Sequence, residues 1–481
     1  MRTTTFVAAA VGLLSTCTDA IQLQRRTDGP ARVVGLDVVR KQVDNPIARD
    51  KLRKLRRRSK TVTATLDNEE TLYFANGTLG TPAQQLRLHI DTGSSDLWVN
   101  SASSTLCTGN GSPCKAAGTY TANSSSTYAF VSSDFNISYV DGSGAAGDYV
   151  TDTFTLGGTR LDKLQFGIGY TSSSSQGILG IGYKINEVQV GRAGKSAYNN
   201  LPAQMVADGL INSNAFSLWL NDLDASTGSI LFGGVDTAQY HGQLETLPIQ
   251  KESGYYAEFL ITLTEITFGD TVIAKDQALA VLLDSGSSLT YLPDAMTEAI
   301  YEMVDAQYDS SDGAAYVSCS LASNTSALNF TFTSPTIQVT MDELVIPVTS
   351  TDGRQLTFTD GTPACLFGIA PAGDSTSVLG DTFIRSAYIV YDLANNEISL
   401  AQTNFNATST SVVEITTGTT SVPGAILVAN AATASSGSSG GDISGTVSLA
   451  SGSKSKNAAT QTPPPMAFGM AVLGAGIYYA M

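Results

Sequence analysis

Histidine is almost missing from this chain: His89 and His241 are the only two among 481 residues. A serine or cysteine nucleophile normally relies on an imidazole base, so that route has little to draw on. His89 stands two positions before Asp91 in an apolar strand, on the same side by the period of two, and no nucleophile motif accompanies it; a structural role is expected. No HExxH occurs, and five cysteines spread along the chain offer no close ligand spacing, so neither a metal site nor any other cofactor is expected. Positive charge is scarce as well. The first 60 residues hold 14 basic and 5 acidic groups, leaving 13 basic and 38 acidic groups, a charge of −25, for the remainder. The basic stretch alone could be a solvated tail for nucleic acid, but the secretory layout of the first 20 residues argues against nucleic acid as a partner. No apolar run reaches the ~20 residues of a spanning helix, the candidate being Met466–Met481 with 16.

What is present is one phrase written twice: Asp91-Thr92-Gly93-Ser94-Ser95 in LRLHIDTGSSDLWV and Asp284-Ser285-Gly286-Ser287-Ser288 in LAVLLDSGSSLTYL. In each, a strand-like apolar run delivers an Asp into a Gly-Ser turn, where the hydroxyls of Thr92, Ser94, Ser285 and Ser287 can hold the carboxylate. Taken singly, either copy could be an ordinary Asx turn closing a strand. The duplication argues otherwise, because an apolar-apolar-Gly segment follows each: Ile178-Leu179-Gly180 begins 87 residues after Asp91, and Val378-Leu379-Gly380 begins 94 after Asp284.

With both Asp turns and both trailing segments in view, the chain resembles the pepsin-like aspartic proteases, and at its ends the fungal cell-surface yapsin branch. The resemblance runs from about Thr71 to Gln402 and includes Trp98, the stretch Val378 to Ala401, and Tyr139 in ISYVDGSG, which matches the family's flap tyrosine. It implies a mainly β, bilobal fold with the cleft between two related lobes, an Asp91–Asp284 dyad supported by Gly93 and Gly286 with the four hydroxyls, and a flap side shaped by Tyr139, Asp141 and Trp98. It also implies one disulfide per lobe, Cys107–Cys114 and Cys319–Cys365; the sequence alone allows three pairings of these four thiols. One departure is plain: where the family usually has Gly after the flap tyrosine, this chain has Val140.

Two adjacent carboxyls hold one proton between them, so one can act as base toward a water while the other acts as acid toward a peptide carbonyl. A catalytically inactive surface-binding protein on the same scaffold is the alternative, and a glycosidase using two carboxylates a distant third. The intact pair of turns with Tyr139 favours the protease. Gly142-Ser143-Gly144-Ala145-Ala146-Gly147 fits GxGxxG, but the alternating Asp148–Leu156 segment that follows predicts a hairpin, not a dinucleotide site.

The body reads as short alternating strands with helices expected near Leu201–Gly209 and Pro293–Ala306. Residues 1–20 have the layout of a signal peptide. By the same resemblance, basic residues 21–58 are expected to form a prosegment ending near Arg56-Arg57-Arg58, and their charge suits them to cover an acidic cleft. An N-terminal lobe is expected over 59–240, a C-terminal lobe over 241–405, a Ser/Thr-rich stalk over 406–457, and a removable GPI signal over 458–481 with attachment at Asn457, or at Ser451 to Ser453. Seven sequons, Asn76, Asn110, Asn123, Asn136, Asn324, Asn329 and Asn406, fit a secreted surface. The expected product is a monomeric, membrane-anchored acid endopeptidase on the outer cell surface, acting on proteins or peptides, kept inactive by its own prosegment and drawn to basic residues.

Overall fold

The computed structural model describes residues 32–41, 72–139, 143–225, 227–310, 313–349, 354–419, 421–434 and 446–447. The expected signal peptide, most of the expected prosegment with Arg56 to Arg58, the residues Val140, Asp141 and Gly142, and the expected anchor region with Asn457 lie outside them.

The repeat seen in the sequence is a repeat of topology. In the first half, strand Gln84–Asp91 runs parallel to Gly177–Gly180, which runs antiparallel to Leu97–Asn100. In the second, Leu279–Leu283 runs parallel to Ser377–Leu379, which pairs antiparallel with Thr290–Leu292. Each aspartate thus leaves its strand beside a threaded segment, and a backbone bond pins it there: Ile181 N–H donates to the Asp91 carbonyl and Asp284 N–H to the Leu379 carbonyl, both at 3.1 Å. The glycines ending the threaded segments are dictated by crowding. A Cβ on Gly180 would lie 2.7 Å from the Ser95 and Asp96 backbone nitrogens, and one on Gly380 only 2.3 Å from the Ser287 carbonyl.

The fold is mainly β and bilobal. A 14-stranded sheet runs from Ala425–Leu427 at one edge, through Ala387–Asp392 and Ala215–Trp219, to the N-terminal lobe and the edge strand Ala129–Ser138. Strands on both sides of residue 240 therefore share one sheet, and the lobes are joined by hydrogen bonds as well as by chain. Two predicted helices form as Leu201–Ala207 and Asp294–Val304. The GxGxxG stretch runs into strand Gly144–Leu156, as the hairpin reading requires. Both expected disulfides are present, with Cα atoms 5.1 and 5.0 Å apart.

Two features differ from the sequence reading. Val34–Lys41, inside the expected prosegment, is a strand of the large sheet, antiparallel to Thr227–Phe232 on one side and Leu72–Leu79 on the other, with Val34, Leu36 and Val38 buried. The stalk boundary at 405 also falls short of where packing ends. Val412–Glu414 pairs with Gly234–Asp236, Ala425–Leu427 pairs with Tyr240–Pro248, and Val412, Ile415, Val422 and Val428 are buried. The Ser/Thr-rich composition concealed four aliphatic anchors. At ~1.5–3 kcal/mol per buried aliphatic side chain, a chain ended at 405 should melt well below one ended at 434 or lose its fold; thermal melts of the two truncations check this.

Candidate active site

Asp91 and Asp284 meet where the two Asp turns face each other, and the surrounding bonds are arranged with near two-fold symmetry. Gly93 N–H donates to Asp91 Oδ1 (2.9 Å) and Gly286 N–H to Asp284 Oδ1 (2.8 Å). Ser94 Oγ donates to Asp91 Oδ2 (2.5 Å) and Ser287 Oγ to Asp284 Oδ2 (2.7 Å). The opposing carboxylate approaches each glycine so closely that a Cβ on Gly93 would sit 2.6 Å from Asp284 Oδ1, and one on Gly286 would sit 2.6 Å from Asp91 Oδ1. Glycine is needed here for close approach.

Thr92 and Ser285 do a different job from the one expected. Their hydroxyls tie the two turns to each other, not to the carboxylates. Thr92 Oγ1 donates to the Leu283 carbonyl (2.9 Å) and accepts from Ser285 N–H (2.9 Å). Ser285 Oγ donates to the Ile90 carbonyl (3.0 Å) and accepts from Thr92 N–H (3.2 Å). Both residues are buried, so every one of these groups would otherwise be left without water or partner.

Burial raises the Asp91 carboxyl to about 7; the neighbouring Asp284 charge adds to the rise, and the bonds from Ser94 and Gly93 oppose it. A hydrogen bond to the Asp284 side chain adds a further upward push. The pair therefore keeps a shared proton through the acidic range.

On the flap side, Tyr139 follows strand Ala129–Ser138, and its backbone N–H donates to the Ser143 carbonyl (2.8 Å). Trp98 is fully buried and donates its indole N–H to Tyr139 Oη at 2.6 Å. Burial and the Asp91 charge hold the Tyr139 phenol well above its ordinary range, so it stays a proton donor near Ser94 and Asp91. Trp98, Tyr139, Phe135, Ile137, Tyr149 and Val188 form one apolar cluster beneath the flap.

Sequence reasoning missed the polar support of that cluster. Asp96 is fully buried, accepting from Tyr149 Oη (2.7 Å), Tyr198 Oη (2.9 Å) and Val188 N–H (2.9 Å). Glu187, also buried, is pushed up to about 9 by burial and is carried protonated. The available signal was an acid, Asp96, directly between the Asp turn and the buried run Leu97-Trp98-Val99.

His89 is buried with its ring 5.8 Å from Phe74, and His241 is exposed, so neither forms a triad. Among the described residues no His, Cys, Asp and Glu group could hold a metal ion. Of the sequons, Asn76, Asn110, Asn123, Asn136, Asn324 and Asn406 are exposed, whereas Asn329 is half-buried and its amide donates to Thr267 Oγ1 at 2.9 Å.

This geometry agrees with the comparisons. The family model for eukaryotic aspartyl protease matches residues 72–403, and the chain belongs to that family. A relative from Aspergillus oryzae named probable aspartic-type endopeptidase opsB is 58% identical over 89% of this chain and 87% of its own length. A relative from Arthroderma benhamiae named probable aspartic-type endopeptidase OPSB is 50% identical over 98% of both chains, and candidapepsin-3 of Candida albicans is 37% identical over 73% of this chain and 84% of its own. The aspartic proteinase from Irpex lacteus superposes with a TM-score of 0.59 at 21% identity, covering 78% of this chain and all of its own, and shares the fold. The protein is an aspartic-type endopeptidase with protein or peptide substrates.

Gly286→Ala should separate the two carboxyls and lower kcat about 100-fold, the usual cost of misplacing a catalytic group by ~1 Å, while circular dichroism stays native. Glycopeptide mapping should find Asn329 unoccupied while exposed sequons carry glycan.

Proposed function

We propose that this endopeptidase is a secreted, surface-anchored zymogen that works at acidic pH and prefers basic residues around the bond it cuts. The observation that carries the acidic reading is the buried, hydrogen-bonded Asp91–Asp284 pair, with the Asp91 carboxyl raised to about 7. With one proton on the pair, the ionised carboxylate takes a proton from a water as that water attacks the peptide carbonyl. The protonated partner donates to the oxygen that becomes negative. Gly93, Gly286, Ser94 and Ser287 hold both groups for the step, and Tyr139 covers it from the flap side.

Support for the zymogen comes from charge and from the strand Val34–Lys41. Arg40 on that strand feels the charges of Tyr73, Arg385, Asp381 and Glu343, and a cation held beside two buried acids of the C-terminal half suits a segment that masks the acidic body before removal. The segment after it holds Arg56-Arg57-Arg58, which suits a protease that cuts after paired basic residues. Secretion and anchoring rest on the apolar run Phe6 to Leu14, the small residues around Asn457 and the apolar end Met466–Met481. Basic preference rests on the −25 body, whose field draws cationic peptides.

Purified, processed protein should cleave peptides at acidic pH in a pepstatin-sensitive manner and lose activity as pH rises through about 7, when the shared proton leaves. Asp284→Asn should abolish cleavage with the fold intact; retained activity would sink the dyad. Because the Asp91 pKa is raised on folding, its stabilising contribution is full below ~3.9, the ordinary carboxyl value, and is lost toward about 7. Thermal melts across that range should fall, and fall less in Asp91→Asn. Replacing Arg56 to Arg58 by alanine should leave an unprocessed, weakly active protein; a mature, active product would overturn the zymogen reading.

A further inference from the structure

Strand Leu260–Leu263 runs antiparallel to Leu279–Leu283, with Leu260 opposite Leu282. The ladder continues one step further, since Leu283 N–H donates to the Phe259 carbonyl at 3.2 Å. The residues that follow at this end of the ladder are Glu258, where the chain bends, and Asp284, whose charge acts on the Glu258 carboxyl. Residues directly opposite in an antiparallel ladder share a face, with Cβ atoms about 4.5–5.5 Å apart. The intervening pair, Phe259 and Leu283, is fully buried on the other face, where the Phe259 ring packs 4.6 Å from Tyr391. Glu258 thus stands beside the catalytic Asp284 at the end of the ladder. Leu260 and Leu282 alternate onto the face opposite Phe259 and Leu283, and each keeps 8% of its surface accessible.

Glu258 is half-buried, and its carboxyl has no hydrogen-bond or ion-pair partner among the described residues. The charged groups that face it are Asp284, with Asp91 beyond, and Glu252 from the hairpin Glu252–Tyr255. The lysine of that segment, Lys251, is turned onto the Tyr256 ring, 5.0 Å from its centroid. A partly desolvated carboxyl set among like charges lacks a cation, and the apolar surface beside it suits an alkyl stem.

We propose that Glu258 is a specificity-determining residue that receives the ammonium or guanidinium of a substrate Lys or Arg at one of the two positions flanking the scissile bond, with Leu260 and Leu282 lining the methylene stem. The inference deepens the basic-residue preference proposed above by assigning it a short-range determinant. Its place at the end of the ladder beside Asp284 sets this determinant next to the reacting bond, which the diffuse field of the acidic body does not. Burial, Glu252 and Asp284 raise the Glu258 carboxyl to about 7. It is thus neutral at low pH and gains its charge as pH approaches that value, and an arriving cation favours the ionised form.

The test uses processed protein and quenched peptides carrying Lys, Arg, norleucine, Gln or Glu at each of the positions around the cleaved bond. The wild type should favour Lys or Arg over norleucine at one flanking position. Glu258→Gln should lower that ratio of kcat/KM about tenfold there and nowhere else, the worth of one charge-assisted hydrogen bond, and Glu258→Lys should turn the preference toward Glu. In the wild type, the ratio should climb between about pH 4 and 7 as a carboxyl held near 7 ionises, a readout that needs no variant to fold. A basic preference that persists unchanged in both variants overturns the role of Glu258 while leaving the preference itself standing. A wild type without any basic preference overturns both, and a ratio flat with pH overturns Glu258 even if the variants misfold.

Discussion

The four hydrogen bonds exchanged by Thr92 and Ser285 are the constraint on which the site depends. Two carboxyls repel when ionised and lose hydration when buried, so nothing intrinsic to them favours their meeting. The hydroxyls overcome this by making the two turns each other's partners. Each Oγ accepts the opposite backbone N–H and donates to a carbonyl one residue before the opposite aspartate, so separating the turns would orphan buried donors and acceptors at ~1–3 kcal/mol each. The glycines then let the carboxyls slide past the backbone, and the serines fix their outer oxygens. Chemistry at the inner oxygens follows from this frame.

A second layer of polar support stands behind the flap. Asp96 gathers two tyrosine hydroxyls and a backbone N–H, and the rings so oriented pack around Trp98, whose indole holds Tyr139. The Lys195–Asp134 ion pair ties the segment before Tyr198 to strand Ala129–Ser138, which leads to Tyr139. The strand leading to the flap tyrosine thus carries a surface ion pair, while the tyrosine itself is supported through Trp98 and the rings gathered by a buried acid, and the two differ in their sensitivity to salt.

Much of the site was legible because its chemistry is local in sequence. Asp91, Gly93, Ser94 and their counterparts lie within one turn, and the threaded glycines follow at similar distances, so duplication alone exposed them. The exchange of Thr92 with Ser285 was not legible: side chains beside a carboxylate suggest that they hold it, and only the three-dimensional approach of the turns shows them reaching across. Glu258 was hidden for a related reason. Nothing near it in sequence resembles a motif, and its position comes from the end of a ladder whose partner strand lies over twenty residues away. The extension of the fold past 405 was masked by composition, since Val412, Ile415, Val422 and Val428 are sparse among Ser and Thr yet all point inward.

The bonds that create the dyad join residues 193 positions apart. Contacts this distant in sequence close late, because the entropy of ordering the intervening chain must be offset first. Until the second lobe has folded against the first, Asp91 is a lone carboxyl with no partner to share a proton, and a chain still emerging from synthesis has no means of cutting a peptide. Splitting the catalytic pair between lobes therefore delays hydrolytic competence until the molecule is whole, a safeguard that operates earlier than any prosegment and needs no additional residue.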